Sequence, residues 1–140
     1  MINDNFTMTG ALSIAINNKI VAEVPNTVVT GGKNWVAQRM NNVNSVMTHM
    51  AIGTSTAAVN VSQTTLSTEI ARVTLTSTTV SGVTVAYVGQ WNAGDGTGAI
   101  TEAGIFNASS GGTMLARVKF DVINKGANDS MTITWTITVN

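Results

Sequence analysis

The sequence predicts a mainly β protein, either an antiparallel β-sandwich or a flattened barrel, with about eight strands and one short helix. The first sign is the closing run SMTITWTITVN, in which large apolar residues alternate strictly with serine and threonine. Side chains alternate between the two faces of a strand, so this run is typical of a half-buried strand. The second sign is a series of β-rich runs separated by short turn signals, without a repeat of fixed period.

The first ten residues, MINDNFTMTG, are polar and lack periodicity, so we expect an N-terminal arm over residues 1–10 and a single β domain over residues 11–140. The domain begins with two alternating runs on either side of Asn17 and Asn18. Asparagine tolerates the positive φ angles of a two-residue hairpin turn, which predicts a first hairpin here. Pro25 should end the second strand or lie at a sheet edge, because proline cannot donate to the ladder.

One segment has helical spacing. After a pair of glycines, residues 33–41 place apolar residues three and four positions apart, which predicts the short helix. The run THMAIG at residues 48–53 predicts a short buried strand, and the serine- and threonine-rich residues 54–65 predict a long surface loop. A further helical turn is expected over residues 66–70.

Two more hairpins are expected in the second half of the chain. Residues 72–80 and 83–91 are β-rich and flank the turn signal Ser81-Gly82. Residues 100–106 and 113–120 flank a short loop of small residues, which is compatible with a third hairpin. The closing strand completes the predicted sheets.

Composition excludes several classes of function. Seven basic and seven acidic residues cancel, so there is no electrostatic case for nucleic acid or an anionic membrane as a partner. The chain has no cysteine, which excludes disulfides and zinc–thiolate sites, and no run of about 18 apolar residues that would predict a membrane span. Only 10% of the residues are charged, against about a quarter in soluble domains, which we interpret as a sign of assembly.

Glu102 is a candidate for chemistry because it interrupts an apolar run. If Asn107 pairs with Thr113, alternation places the carboxylate on the core face, where it needs a partner. That predicted face contains Ile100, Glu102, Gly104, Phe106, Met114, Ala116, Val118 and Phe120. Two interpretations are open: a carboxylate held by backbone amides, by Arg117 or by Arg72, or a catalytic acid with a raised pKa. We expect the first, because glycoside hydrolysis normally needs a second carboxylate nearby.

The other candidate groups lack partners in the sequence. His49, the single histidine, lies in an apolar strand without convergent carboxylates or imidazoles. The loop NAGDGTG has neither the ligand spacing of an EF-hand nor the Gly-Lys-Ser/Thr ending of a phosphate loop. The sequence therefore predicts no enzyme activity, no catalytic residue, no metal site and no cofactor.

Two sets of residues are candidates for binding. The threonine side of the closing strand has no chemistry of its own, and we expect it to form a second packed layer or a subunit interface. The candidate interface residues are Thr132, Thr134, Thr136, Thr138 and Phe6. The candidate glycan contacts are Trp91 and Tyr87, because sugars stack on exposed aromatic rings, and we expect Trp91 to be partly exposed.

Three segments carry a resemblance that covers nearly the whole chain. They are NTVVTGGKNWVAQRM, then MTHMAIGTSTAAV with TTLSTEIARV, and finally the stretch from GTGAITEAGIFNASSGG to SMTITWTITVN. The most specific pieces are residues 50–53, 102–107, 114–117 and 124–126. In these segments the chain resembles a family of small structural proteins encoded by tailed bacteriophages. The resemblance implies a virion location, as a capsid decoration or tail fibre protein, and no site residues, because the shared pieces are strands and turns.

From these observations we expect a non-enzymatic virion protein that works as a homo-oligomer, in particular a homotrimer. Its partners would be further copies of itself and other virion proteins, such as the major capsid protein or tail proteins. We favour a capsid decoration or cement protein, because one compact domain without a repeat or stalk is unlike a fibre shaft. The alternative is a tail fibre or baseplate module that contacts the host surface, including one that binds glycans.

Overall fold

In the computed structural model, which describes residues 7–140, the chain forms two five-stranded antiparallel sheets that pack as a β-sandwich. This confirms the predicted class and decides for the sandwich over the barrel. The strands are β1 (Met8–Ile16), β2 (Lys19–Pro25), β3 (Thr27–Val28), β4 (His49–Gly53), β5 (Glu69–Thr74), β6 (Ser77–Ser81), β7 (Thr84–Trp91), β8 (Gly98–Phe106), β9 (Met114–Lys125) and β10 (Met131–Val139), and the helix is α1 (Thr30–Met40). Sheet A has the strand order β2-β1-β10-β7-β6, and sheet B has the order β3-β9-β8-β4-β5.

The core lies between the two sheets. In sheet A, Trp135 of β10 pairs with Leu12 of β1 on one side and with Tyr87 of β7 on the other, and all three are buried. Sheet B contributes residues such as Met50 and Ile52 of β4 to the same cluster. Each large apolar side chain buried in this way stabilises the fold by about 1.5–3 kcal/mol, so the alternation seen in the sequence accounts for the sandwich.

The first hairpin forms as predicted between β1 and β2. Asn17 and Asn18 have φ angles of 49° and 67°, as a type I′ turn requires. Asn17 also fixes this turn to the segment before β10: its side-chain nitrogen donates to Asp129 Oδ1 over 2.9 Å, and its Oδ1 accepts from the Ser130 amide over 3.0 Å. The hydrogen bond from Asn17 lowers the pKa of Asp129. Pro25 ends β2 at an edge of sheet A, as predicted.

Two element boundaries differ from the prediction. β1 begins at Met8, so the last three residues of the predicted arm belong to sheet A, while residues 1–6 lie outside the described part of the chain. α1 begins at Thr30, three residues earlier than expected. The glycine pair lies inside the helix, and a Cβ on Gly32 would overlap the Leu115 carbonyl oxygen of β9. Glycine here allows α1 to pack directly on β9.

The run predicted as one strand over residues 72–80 is divided between the two sheets, because β5 belongs to sheet B and β6 to sheet A. The chain crosses between two consecutive residues. The Leu75 amide donates to the Thr48 carbonyl over 2.8 Å, on the side of sheet B, and the Thr76 amide donates to the Val88 carbonyl over 2.7 Å, in sheet A. Residues 7–140 therefore contain ten strands rather than about eight.

The helical turn expected over residues 66–70 is wrong, because β5 begins at Glu69 and forms an edge of sheet B. The third hairpin forms as predicted between β8 and β9. Its loop is closed by the Asn107 amide, which donates to the Thr113 carbonyl over 3.2 Å. Residues 54–68 connect β4 to β5 without a strand or helix of their own.

Candidate functional site

The four predicted interface threonines of β10 lie on the outer side of sheet A. They alternate with the buried core residues of β10, which is the central strand of its sheet. The register aligns each of them with one residue of β1 and one of β7. Thr134, for example, lies between Ser13 and Val88.

We define the hydroxyl face as the outward positions of sheet A that are in register with these threonines. They are Thr9, Ala11, Ser13 and Ala15 of β1, Ile20, Glu23 and Pro25 of β2, Ser77, Thr79 and Ser81 of β6, Thr84, Ala86, Val88 and Gln90 of β7, and Thr132, Thr134, Thr136 and Thr138 of β10. Serine and threonine predominate, and Glu23 is the only charged residue among these positions. More than half of the face therefore consists of small hydroxyl side chains that both donate and accept hydrogen bonds, and most of the rest is apolar.

The hydroxyl face is open in the single chain. Thr9, Ala11, Glu23 and Thr79 are exposed, and the threonines of β10 are half-buried between their neighbours. A threonine on such a surface offers a methyl group and a hydroxyl, so it contributes both apolar contact and a hydrogen bond to a partner.

The predicted glycan contacts are core residues. Trp91 is fully buried, which corrects the expectation that it would be partly exposed. The inward side of β7 contains Val85, Tyr87, Gly89 and Trp91, so the alternation that buries Tyr87 also buries Trp91. The Trp91 Nε1 donates to the Ala71 carbonyl over 3.4 Å, and burial raises the pKa of the Tyr87 hydroxyl. Neither ring presents a face on which a sugar could stack.

Glu102 forms a buried ion pair with Arg117 on the outer side of sheet B. Both side chains are fully buried, and Arg117 donates from Nε and Nη2 to Glu102 Oε1, over 3.1 and 2.9 Å. The backbone amides of Ser55, Ser67 and Thr68 also donate to the carboxylate, over 3.1, 3.0 and 2.8 Å. This confirms the expectation of a carboxylate held by amides and Arg117. With both oxygens engaged and no exposed surface, Glu102 has no position from which to meet a substrate.

The ion pair fixes residues 54–68 to sheet B. Arg117 donates from Nη1 to Gln63 Oε1 and from Nη2 to the Ala57 carbonyl, over 3.2 Å in each case. The Thr101 hydroxyl donates to the Ser55 carbonyl over 2.6 Å. Beneath the loop is a second buried cluster of Val29, Ala51, Leu66, Phe106 and Met114. The outer face of sheet B around Glu102 is therefore covered by the chain itself, while Lys119 of β9 is exposed.

Two irregularities in the pairing of β8 with β9 put Glu102 on the face opposite to the predicted one. The register shifts between Ile100 and Glu102, and again between Ile105 and Phe106. Glu102 and Phe106 therefore face outward, whereas Ala103 and Ile105 face the core. A shift of one residue exchanges the two faces of a strand, and simple alternation along the sequence cannot reveal it.

Lys125 is a second buried charge, and the sequence did not indicate it. Its side chain is 1% exposed, and its Nζ donates to the Asn92 carbonyl over 3.0 Å. This contact fixes the glycine-rich loop between β7 and β8. In the sequence, a lysine at the end of a strand looks the same whether it is solvated or buried, so no local signal could have found it.

His49 begins β4 close to Arg72 of β5. Burial, and then the charge of Arg72, lowers the pKa of His49. Arg72 lies over the Phe106 ring, 3.8 Å from its centroid, and pairs with Glu69 over 2.7 Å rather than with Glu102. Arg72, Glu69 and Phe106 therefore pack against one another near the β5 edge of sheet B.

Within residues 7–140 there is no group of three or more histidine, cysteine, aspartate or glutamate residues placed to hold a metal ion. α1 has eleven residues, and the described part of the chain contains no helix long and apolar enough to cross a membrane.

No protein-family model, curated protein or solved structure matches this chain. The resemblance to phage structural proteins therefore stays a prediction. Its most specific pieces lie mainly in β8 and β9, in the middle of sheet B, and it ends in β10, in the middle of sheet A. These residues form the framework of the sandwich rather than a binding site.

Proposed function

We propose that this chain is a non-enzymatic structural protein of a tailed-phage virion, acting as an oligomeric capsid decoration or cement protein. The observation that carries the proposal is the hydroxyl face: the outer side of sheet A is open and almost uncharged, while the chain itself covers the outer side of sheet B around Glu102. The sequence resemblance supplies the virion context.

The hydroxyl face has the chemistry of a surface that another protein covers. Removing charged groups from water costs several kcal/mol per ion, whereas hydroxyls and small apolar groups lose little when a partner replaces their hydrogen bonds. Glu23 lies on β2 at the edge of the sheet, where it can remain solvated at the rim of a contact.

The size of the face is sufficient for a specific contact. The five strands of sheet A have five to nine residues. At about 4.8 Å between strands and about 3.3 Å per residue, they make a surface of roughly 600 Å² in plan. A standard interface buries about 800 Å² on each partner. The hydroxyl face therefore supplies most of such a contact without help from the loops.

In this proposal three copies form a ring, and the ring binds the capsid surface. A cyclic trimer has heterologous contacts, so the hydroxyl face of one copy meets a different surface of the next copy. The low overall charge, 10% of residues, favours assembly because it leaves little electrostatic repulsion between copies.

No observation of comparable weight favours a glycan-binding fibre tip. That alternative depended on exposed aromatic rings, and Trp91 and Tyr87 are both buried in the core. The arrangement of residues 7–140 in one sandwich also lacks the long repeated strands of a fibre shaft.

Copy number in purified particles tests this proposal. Quantitative mass spectrometry of particles of the phage that encodes this chain should find hundreds of copies per particle. A handful of copies would move the protein to the tail and overturn the capsid assignment. Its absence from particles would overturn the virion assignment as a whole.

A further inference from the structure

Of the four edge strands in residues 7–140, β6 alone lacks a feature that protects it from pairing with another strand. β2 carries Lys19, Glu23 and Pro25, β5 carries Glu69 and Arg72, and β3 has only two residues. Charge, proline and short length are the usual protection of a sheet edge. β6 consists of serine, threonine and valine, and all five of its residues are exposed. Its free edge is therefore open to a further strand.

Two residues of β6 direct their backbone groups to this free edge. β6 and β7 form a hairpin with a two-residue turn, in which Ser81 pairs with Thr84. Such a turn is closed by a backbone hydrogen bond, and hydrogen-bonded pairs alternate with other pairs along an antiparallel ladder. Thr78 and Val80 are therefore the residues whose N–H and C=O groups point away from β7. An added strand can pair with both.

An apolar groove of about 340 Å³ lies beside the same edge. Its lining includes Val80 of β6, Val85 of β7, Trp35 of α1 and Val46 in the segment before β4. Val80 and Val46 are 71% and 54% exposed, so apolar side chains from distant parts of the chain meet water at one place. Every second side chain of a strand added to β6 points to this side of the sheet. Those side chains would enter the groove.

Arg39 gives the groove a positive charge. It is the only charged residue among the described lining residues. Its Nη1 donates to the Asn44 carbonyl over 2.7 Å, which is an uncharged acceptor, and the two ion pairs within residues 7–140 involve other arginines. A guanidinium forms its strongest hydrogen bonds with a carboxylate. An acidic side chain is therefore the complement of this groove.

We propose that β6 and this groove bind an extended acidic segment of a partner protein, which adds a strand to sheet A. In this mode of recognition, main-chain hydrogen bonds supply affinity and pockets for alternate side chains supply specificity. The segment pairs with Thr78 and Val80, places apolar side chains in the groove at every second position, and brings one carboxylate to Arg39. The β6 strand of a second copy fits less well, because it has no carboxylate.

This strand-binding site is separate from the hydroxyl face. The side chains that β6 contributes to that face, Ser77, Thr79 and Ser81, alternate with the two residues that line the groove. A bound segment therefore leaves the hydroxyl face open, and the site does not depend on the proposed function. Phe6, which was also expected at an interface, lies outside the described residues.

A library of nine-residue peptides tests the proposal. Even positions are threonine, and odd positions carry one aspartate or glutamate among valine, isoleucine, leucine and phenylalanine. The library is selected on the purified protein by mRNA display, and fluorescence anisotropy measures the Kd of the tightest peptide. Val80→Asp should raise this Kd at least about ten-fold, because it places a like charge beside the bound carboxylate. Val83→Asp is the control, since Val83 is a similarly exposed valine of the same hairpin that is not among the groove's lining residues.

A second measurement isolates the charge of the groove. Arg39→Gln should weaken binding of the acidic peptide about ten-fold and leave binding of a peptide with glutamine at the acidic position unchanged. Lys33→Gln, which removes another cation of α1 that does not line this groove, should change neither. Circular dichroism confirms that each variant is folded.

Three results would overturn the proposal. The first is a library in which no peptide binds with a Kd below about 1 mM. The second is equal binding to Val80→Asp and Val83→Asp, or to Arg39→Gln and Lys33→Gln. The third is that Val80→Asp loses an oligomer that the wild type forms in sedimentation velocity, which would assign the edge of β6 to a second copy of the chain.

Discussion

The two sheets of the sandwich share one core and differ in what lies on their outer faces. On sheet B, residues 54–68 and a buried cluster cover the strands, and Glu102 and Arg117 are fully buried beneath them. On sheet A, the hydroxyl face is open, and the threonines of β10 are only half-buried.

The two outer faces differ in where the few charged residues of the chain lie. A buried ion pair is costly to desolvate and is retained only where further hydrogen bonds satisfy it. Glu102 and Arg117 meet that condition because they connect a long loop to two central strands. The hydroxyl face carries almost no charge, and its uniform, small polar groups suit contact with another protein.

The largest loss of folding stability is expected from a substitution at the buried ion pair on the outer side of sheet B. Glu102→Gln leaves the Arg117 charge buried without its counter-charge, and breaking a buried pair in this way costs about 3–5 kcal/mol. We expect the free energy of unfolding to fall by that amount in urea denaturation. Residues 54–68 should also become a site of limited proteolysis.

Glu69→Gln is the matched control. Glu69 also pairs with an arginine, Arg72, but its side chain is partly exposed, and such pairs contribute about 0–1 kcal/mol. Equal destabilisation by the two substitutions would show that Glu102 does not fix the loop as described.

The close contact of α1 with sheet B is expected to be the next most sensitive point. In Gly32→Ala the new methyl group overlaps the Leu115 carbonyl oxygen, and the overpacking should cost about 1–3 kcal/mol. Gly31→Ala is the control, because its Cβ would lie 3.9 Å from the nearest backbone atom. It should be neutral or stabilise the helix by up to about 1 kcal/mol. The same measurement, urea denaturation, checks both.

A smaller change in the free energy of unfolding is expected when the pH is lowered, because His49 of sheet B titrates. The folded protein holds the pKa of His49 below its ordinary value of 6.5. As the pH falls through 6.5, the unfolded chain therefore binds this proton more readily than the folded protein, and the free energy of unfolding decreases. The contribution of neutral His49 to the free energy of unfolding is therefore fully present above the ordinary pKa of 6.5, and it is lost as the pH falls below that value.

His49→Gln should remove this dependence between pH 5 and 7.5, because His49 is the single histidine and no other side chain titrates there at its ordinary pKa. Urea midpoints measured at both ends of that range check the result. An unchanged slope in the variant would assign the pH dependence to other groups.

The fold class could be predicted from the sequence because the alternation of apolar and polar residues along a strand reflects which side chains are buried. The strict pattern of residues 130–139 predicted both the core side of β10, with Trp135, and its open threonine side, and the turn at Asn17 and Asn18 followed from the backbone preferences of asparagine. These features depend on neighbours in the chain, so they are visible without tertiary information.

The features that the sequence did not reveal depend on contacts between distant segments. At the crossing from β5 to β6 the core-facing positions change from odd-numbered residues, such as Val73, to the even-numbered residues that pair with Val85 and Tyr87. Residues 76–79 are all serine or threonine, so the sequence does not reveal this change. The register shifts around Glu102 reverse the face of that residue, and they arise from the pairing of β8 with β9. The burial of Trp91 and Lys125 likewise follows from what packs against them, and not from the residues beside them.

The central claim is that the hydroxyl face is a contact surface of the assembled protein. Sedimentation velocity of the wild type and of the double variant Thr134→Lys and Thr136→Lys tests it most directly. The double variant Val122→Lys and Asn124→Lys, at exposed positions of β9 in sheet B, is the control for added surface charge. Thr134 and Thr136 are central on the face, and two lysines there should cost less than about 1 kcal/mol of folding stability but oppose close contact. We predict a wild-type trimer, a monomeric double variant that remains folded, and an unchanged control. A monomeric wild type, or a double variant that still forms trimers, would contradict the claim.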